Sequence, residues 1–187
     1  MKNLHKKFCV VNYIVYIYVV NYINAMQEDF VKELGHLALA VRLKRISDKM
    51  IHSGKRMYKE LGLDIEPNWF LLFKILKKHE RLSVTEIADK LQFSHPSVIN
   101  IVEKMTNRGY LTSEPSASDN RKRLLTLAPK ALEVYPKLDA IWVAGTEAVT
   151  KMLGDDDPSS FFEKIENELN YESFAERTIR TLRENNG

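Results

Sequence analysis

A single cysteine, Cys9, excludes an internal disulfide framework and any site built from several thiolates. Histidine offers no metal site either: His5, His36, His52, His79 and His95 are scattered, with no H-x-x-x-H pair and no acidic cluster beside them. The chain also lacks a phosphate-cradling glycine loop, a nucleophile elbow and paired carboxylates in an apolar setting. No catalytic residue, metal ligand or cofactor is therefore assigned, and the chain is not read as an enzyme. Glycine and proline are sparse, at seven and six, and no repeat or low-complexity tract is present, which with 44% hydrophobic residues describes a soluble globular chain of one domain or two closely packed ones.

Long apolar runs are also wanting. The longest, Phe8 to Ile23, is broken by Asn12 and Asn21 and falls short of the roughly 20 residues that a spanning helix needs. After the basic start "KNLHKK" it has the layout of a signal peptide more than of an anchor, but Ala25 makes a poor cleavage site. Met26 then opens an ordinary amphipathic helix with Phe30, Leu34, Leu37 and Val41 on one stripe. The expectation is that translation begins at Met26, that residues 1–25 are an apolar extension outside the native polypeptide, and that the protein is cytoplasmic with no membrane partner. Retention of the run would instead make it membrane-associated.

Charge of either sign is nearly balanced at +3, but it is unevenly placed. Residues 74–130 hold eleven Lys/Arg against six Asp/Glu, and residues 155–187 hold four against nine, so the basic middle is the part suited to a polyanion.

That middle contains "FSHPSVINIVEKMTNRGYL", residues 93–111. Ser94 is placed as N-cap, its hydroxyl able to accept from a first-turn amide, and Pro96 then lies in the first turn, where a missing N–H costs nothing. Val98, Ile101, Val102 and Met105 share one face; Pro96, Asn100, Glu103 and Asn107, flanked by Ser97 and Lys104, share the other. One face suits a core and the other is left to read something.

Around it the pattern is helical from Gln27 to about Leu61, with a break expected near "HSGK", and Gly62 and Pro67 supply a stop. "NWFLLFKILKKH" reads as a short buried helix, and "SVTEIADKL" opens with Ser83 and Glu86 at capping-box spacing. Only "QF" separates that helix from Ser94, which is helix-turn-helix spacing. "YLT" and "RLLTL" read as strands about the turn-rich "SEPSASDNRK", making a wing. Pro129 starts a further helix, interrupted or kinked near Pro136. "DDDPSSFFEKIENEL" starts a last one, with Asp157 or Ser159 as cap and Phe161, Phe162, Ile165 and Leu169 as its stripe.

The line "LSVTEIADKLQFSHPSVINIVEKMTNRGYLTSEPSASDNRKRLLTLAPKAL" resembles the multiple antibiotic resistance regulator (MarR) family of winged-helix transcription factors, over about Arg42 to Leu153. It is similar to that family's L-T-x-x-E-L-A helix, its recognition helix, its turn into the wing, and its wing signature D-x-R, here Asp119-Asn120-Arg121. There are departures: Asn100 stands where many relatives have arginine, and Leu127-Ala128-Pro129-Lys130-Ala131 replaces L-T-x-x-G, which puts the start of the next helix in question. The resemblance implies a mainly α fold with a small β-wing: dimerisation helices over 26–66, a winged helix-turn-helix DNA-binding domain over 67–128, and C-terminal dimerisation helices over 129–187. It further implies a homodimer that regulates transcription from a pseudo-palindromic operator on double-stranded DNA, as a repressor, with a small aromatic or phenolic effector as a further candidate partner.

The candidate DNA-binding residues are Ser94, His95, Pro96, Ser97, Asn100, Lys104, Asp119, Arg121, Lys122 and Arg123. Ser97 and Asn100 are short enough to approach base edges, and Asn suits adenine bidentately. His95 stands either as a phosphate contact or as a plain first-turn residue, and Lys104 is placed as a phosphate contact. Glu103 would repel phosphate, so the N-terminal half of the helix should enter the groove. The resemblance assigns Arg121 to the minor groove with Asp119 bracing it, a role that suits an arginine at a hairpin tip. Lys122 and Arg123 alternate in direction, so one of them accompanies it. Tyr58, Trp69, Phe70, Phe73 and Trp142 are candidates for the effector cleft the family implies, although core packing accounts for most such residues. A winged helix that binds another protein is the rival reading; it would show an apolar outer face and an uncharged wing.

Overall fold

The computed structural model describes residues 29–115 and 122–187. The apolar extension 1–25, the start at Met26, and the wing residues Asp119, Asn120 and Arg121 lie outside the described residues. The described chain is mainly α, with one two-stranded antiparallel sheet. It falls into two compact units: one holds residues up to Lys78 together with Asp89–Gln92, the other His79–Ala88 and Phe93–Gly187.

The first unit begins with a short helix, α1 (Phe30–Glu33), a 3-10 turn Gly35–Ala38, and the long helix α2 (Leu39–Glu60). The break in the early helical pattern therefore falls at Gly35, not at "HSGK". Gly35 has φ +56, a left-handed conformation that glycine adopts without a Cβ clash, whereas α2 runs without interruption through His52–Lys55. Gly54 stays inside that helix for a packing reason: a Cβ there would lie 3.2 Å from the Pro67 ring, so its absence lets the Pro67–Trp69 turn approach closely. Two ion pairs hold the same unit, Arg45 forking onto Asp29 at 3.0 and 2.8 Å and Lys55 reaching Glu66 at 2.9 Å. Gly62, at φ +68, follows the end of α2, and the Pro67 turn leads into α3 (Phe70–His79). Tyr58, Ile65, Trp69, Leu72, Phe73 and Leu76 are buried. Of the five aromatic candidates for an effector cleft, Tyr58, Trp69 and Phe73 are thus core residues, while Phe70 is exposed and Trp142 half-buried.

The second unit carries α4 (Val84–Leu91, whose last turn belongs to the first unit), α5 (His95–Asn107), β1 (Leu111–Pro115), β2 (Arg123–Leu127) and three later helices. Gly109 at φ +75 turns the chain from α5 into β1. The strands pair in register from Leu111 opposite Leu127 to Pro115 opposite Arg123, with the Thr112 and Thr126 hydroxyls 2.7 Å apart. Leu82 adds an isolated antiparallel bridge to Leu125, which clamps the chain just before α4 onto the sheet.

α6 (Pro129–Leu153) starts where the departure from L-T-x-x-G left its start in question. Pro129 occupies the first turn and the N-cap Ala128 is extended, at ψ 161, so the fixed φ of proline takes the place of a side-chain cap. The helix continues past Pro136 without the expected interruption. α7 (Ser159–Tyr171) has Pro158 at its N-cap, while Asp157 accepts from the Ser159 amide at 3.0 Å. α7 is not the last helix: α8 (Phe174–Asn185) follows, opened by a complete capping box between Ser173 and Glu176.

Candidate nucleic-acid interface

α4 and α5 are separated by Gln92, Phe93 and Ser94. Gln92 has φ +52, and the Phe93 amide donates to the Ala88 carbonyl at 3.0 Å, the pattern by which a left-handed residue closes a helix. The N-terminus of α4 is a true capping box. The Glu86 amide donates to Ser83 Oγ at 3.3 Å, and Glu86 Oε2 accepts from the Ser83 amide and hydroxyl, each at 2.8 Å. Ile87 and Ala88 are buried and Leu91 partly so.

Ser94 does occupy the N-cap of α5 with extended backbone, and His95 and Pro96 form its first turn. The expected side-chain cap is absent, however. The Ser94 and Ser97 hydroxyls lie 2.7 Å apart and bond to each other, while the Ser97 amide donates to the Ser94 carbonyl at 3.0 Å. The reason is local. Pro96 has no amide to offer, and the Ser97 amide is taken by backbone, so the hydroxyl pairs with its side-chain neighbour.

The two faces of α5 are divided as its spacing requires. Val98 and Met105 are fully buried, Ile101 and Val102 nearly so. Ser94, His95, Pro96, Ser97, Asn100, Glu103, Lys104 and Asn107 are all exposed. Ile99, beside them, is also exposed. Such a face presents small polar groups near the N-terminus and a cation, Lys104, one turn beyond Asn100.

At the loop end of the two-stranded sheet the two described cations differ. Lys122 Nζ donates to Glu86 Oε1 at 2.8 Å. Arg123, in β2, donates from Nε to Ser113 Oγ and from Nη2 to the Ser113 carbonyl, both at 2.8 Å. Lys122, Ser83 and the Ser83 amide together hold the Glu86 carboxyl down at about 2, the lysine being the largest cause. Sequence reasoning placed Lys122 and Arg123 near each other but missed both partners, because no spacing rule links residue 86 to residue 122. Lys130, outside the candidate set, donates to the Arg108 carbonyl at 2.7 Å and sits 4.2 Å from the Tyr110 ring centroid, tying α6 to the C-terminal end of α5. Among the described residues no group of three or more His, Cys, Asp or Glu could hold a metal, and no helix is long and apolar enough to cross a membrane.

Residues 63–122 match the MarR family model. Among solved structures, the MepR–DNA complex of S. aureus is similar at 16% identity and TM-score 0.59, over 71% of this chain and 96% of that one. The transcriptional repressor CouR bound to a 23-mer DNA duplex is similar at 20% identity and TM-score 0.58, over 72% and 95%. The transcriptional regulator SlyA is similar at 13% identity and TM-score 0.57, over 75% and 98%. No curated protein matches. At such identities the structural likeness speaks for the fold alone, and the family match concerns a segment: residues 63–122 are similar to the MarR family over about a third of the chain.

Proposed function

We propose that the chain is a sequence-specific transcriptional regulator that binds double-stranded DNA through α5 and the wing. One observation carries the reading. Val98, Ile101, Val102 and Met105 on the inner face of α5 are buried, while Ser94, Ser97, Asn100, Glu103, Lys104 and Asn107 are exposed, so its outer face is predominantly polar, with Ile99 as its one exposed large apolar side chain, too little for the apolar outer face a protein-binding winged helix would present. Asn100 and Ser97 are assigned to base edges, Lys104 to phosphate, and Arg123 to the DNA backbone beside the wing. His95, at the helix N-terminus, lies where an anion is attracted. The similar chains that were solved with DNA support the same reading.

The regulator acts as a homodimer on a pseudo-palindromic operator in the cytoplasm, as a repressor that a small aromatic or phenolic compound releases. The apolar residues left exposed on α1, α7 and α8 support the dimer. Selection of bound duplexes from a random pool, followed by salt-titrated binding to the selected and a scrambled site, tests the whole. An inverted repeat with half-sites about one helical turn apart is expected. Equal binding to both duplexes would overturn the reading, and loss of binding on titrating phenolic acids tests the release.

A further inference from the structure

We propose that Lys122 is a positioning residue of the wing, its charge silenced by Glu86, and that Arg123 is the cation that the loop end of the sheet offers to DNA. This rests on the DNA-binding reading above. Glu86 divides its two carboxylate oxygens between two tasks. Oε2 accepts both the amide and the hydroxyl of Ser83, and Oε1 accepts the Lys122 ammonium at 2.8 Å. Ser83 is buried, so the cap holds the carboxylate in place before the lysine arrives. That removes much of the ordering entropy that makes an ordinary surface ion pair worth little. Alongside, Leu82 and Leu125 exchange backbone hydrogen bonds at 3.3 and 2.8 Å. β2 and the residue before it are therefore joined to the start of α4 and the chain just ahead of it twice, by backbone at Leu125 and by side chain at Lys122.

Arg123 is held differently. Its partners among the described residues are the hydroxyl and the carbonyl of Ser113, both neutral, so the guanidinium is oriented across the ladder with no described carboxylate compensating its charge. Two adjacent cations at the loop end of the sheet are thus electrostatically distinct among the described residues, one paired with a carboxylate and one held by neutral groups. Glu86, in the first turn of α4, does for the wing what its place in the sequence motif does not show: it decides which cation faces the polyanion.

Salt dependence counts the cations that displace counterions from DNA, at about 0.9 in the slope for each phosphate neutralised. For Lys122→Met the slope stays as in the unmodified protein while the ratio of selected-site to scrambled-site binding falls, because the wing loses its side-chain tie. For Arg123→Met the slope falls by about one per protomer. Glu86→Gln keeps an acceptor for the capping box but frees the lysine, so the slope rises by about one per protomer and scrambled DNA binds more tightly. The inference is overturned if Lys122→Met lowers the slope as Arg123→Met does and Glu86→Gln leaves it unchanged. A DNA-free measurement separates this from a failure of the DNA-binding reading itself. In urea unfolding, the double-mutant cycle of Glu86→Gln and Lys122→Met should show a coupling of about two- to fivefold in the unfolding equilibrium. A coupling with no preference for the selected duplex would sink the DNA reading and leave the tie standing, and no coupling would sink the tie.

Discussion

Asn100 sits at the centre of the outer face of α5, exposed, with Ser97 and Lys104 one turn away on either side. Its amide can both donate and accept, which is what a bidentate contact to adenine requires, so Asn100→Ala should cost about 1–3 kcal/mol on the selected site and little on scrambled DNA. Lys104→Ala, by contrast, should weaken binding to both duplexes alike and lower the salt slope by about one per protomer. Fluorescence anisotropy at several salt concentrations distinguishes the two; equal losses on both duplexes for Asn100→Ala would remove it from base contact. Glu86 gives a pH signature. Its carboxyl is held at about 2 in the folded chain against 4.5 ordinarily, so the folded state binds its proton more weakly than the unfolded state does. The resulting stability is fully present above about pH 4.5 and is lost as pH falls toward 2. Glu86→Gln should therefore be less stable than the parent at pH 6, with the gap closing in urea titrations as pH is lowered. At this scale the sequence was legible where contacts are local, as in Ser83 with Glu86. It was illegible where a hydroxyl had two nearby choices, as at Ser94, or where partners come from distant elements, as with Lys122.

Among the elements, caps and glycines decide the boundaries. The S-x-x-E pattern opens α4 as expected, and the same pattern opens α8, where Ser173 and Glu176 close a full capping box. That second signal stands in plain view in "SFAE", but Asn170–Ser173 interrupts the apolar stripe of α7, so the helical period alone ends at Leu169. Since α8 has no buried residue, its cap matters more than one on a core helix. Ser173→Ala should cost about 1 kcal/mol and reduce helicity by circular dichroism at 222 nm. An unchanged helical signal across a thermal ramp would show that α8 is held by other contacts. The early helix shows the opposite error. "HSGK" has the composition of a break, yet α2 continues through it, because Gly54 serves the approach of Pro67 and not a turn. The real break, at Gly35, needs a left-handed residue that a periodicity reading of Phe30, Leu34 and Leu37 passes over. The α4–α5–wing order was readable because the apolar spacing, the tight turn and the strand alternation all fell within a few residues of one another.

For the molecule as a whole, the unresolved question of energy is what covers its terminal helices. No residue of α7 or α8 is buried, although α7 carries Phe161, Phe162 and Leu169 and α8 carries Phe174, Ile179 and Leu182 as exposed apolar side chains. On α1 and the turn after it, Phe30 and Leu37 are exposed as well. Helices of 13 and 12 residues are marginal in isolation, and their stability in a protein comes from packing an apolar stripe. The ion pairs on these helices, Arg177 with Glu168 and Arg180 with Glu172 at 2.9 Å each, lie at the surface with at least one partner well exposed, and contribute little. On the proposed reading, a second copy of the chain would supply the complementary stripes, and a two-fold arrangement would also set two α5 helices to read two half-sites. Light scattering should accordingly give twice 21.7 kDa at micromolar concentration. Leu182→Glu, placing a charge on the α8 stripe, should shift that value toward the monomer and weaken binding to an inverted repeat far more than binding to a single half-site. A parent protein that scatters as a monomer, or a Leu182→Glu variant that stays dimeric, would mean that something other than a second copy covers these helices.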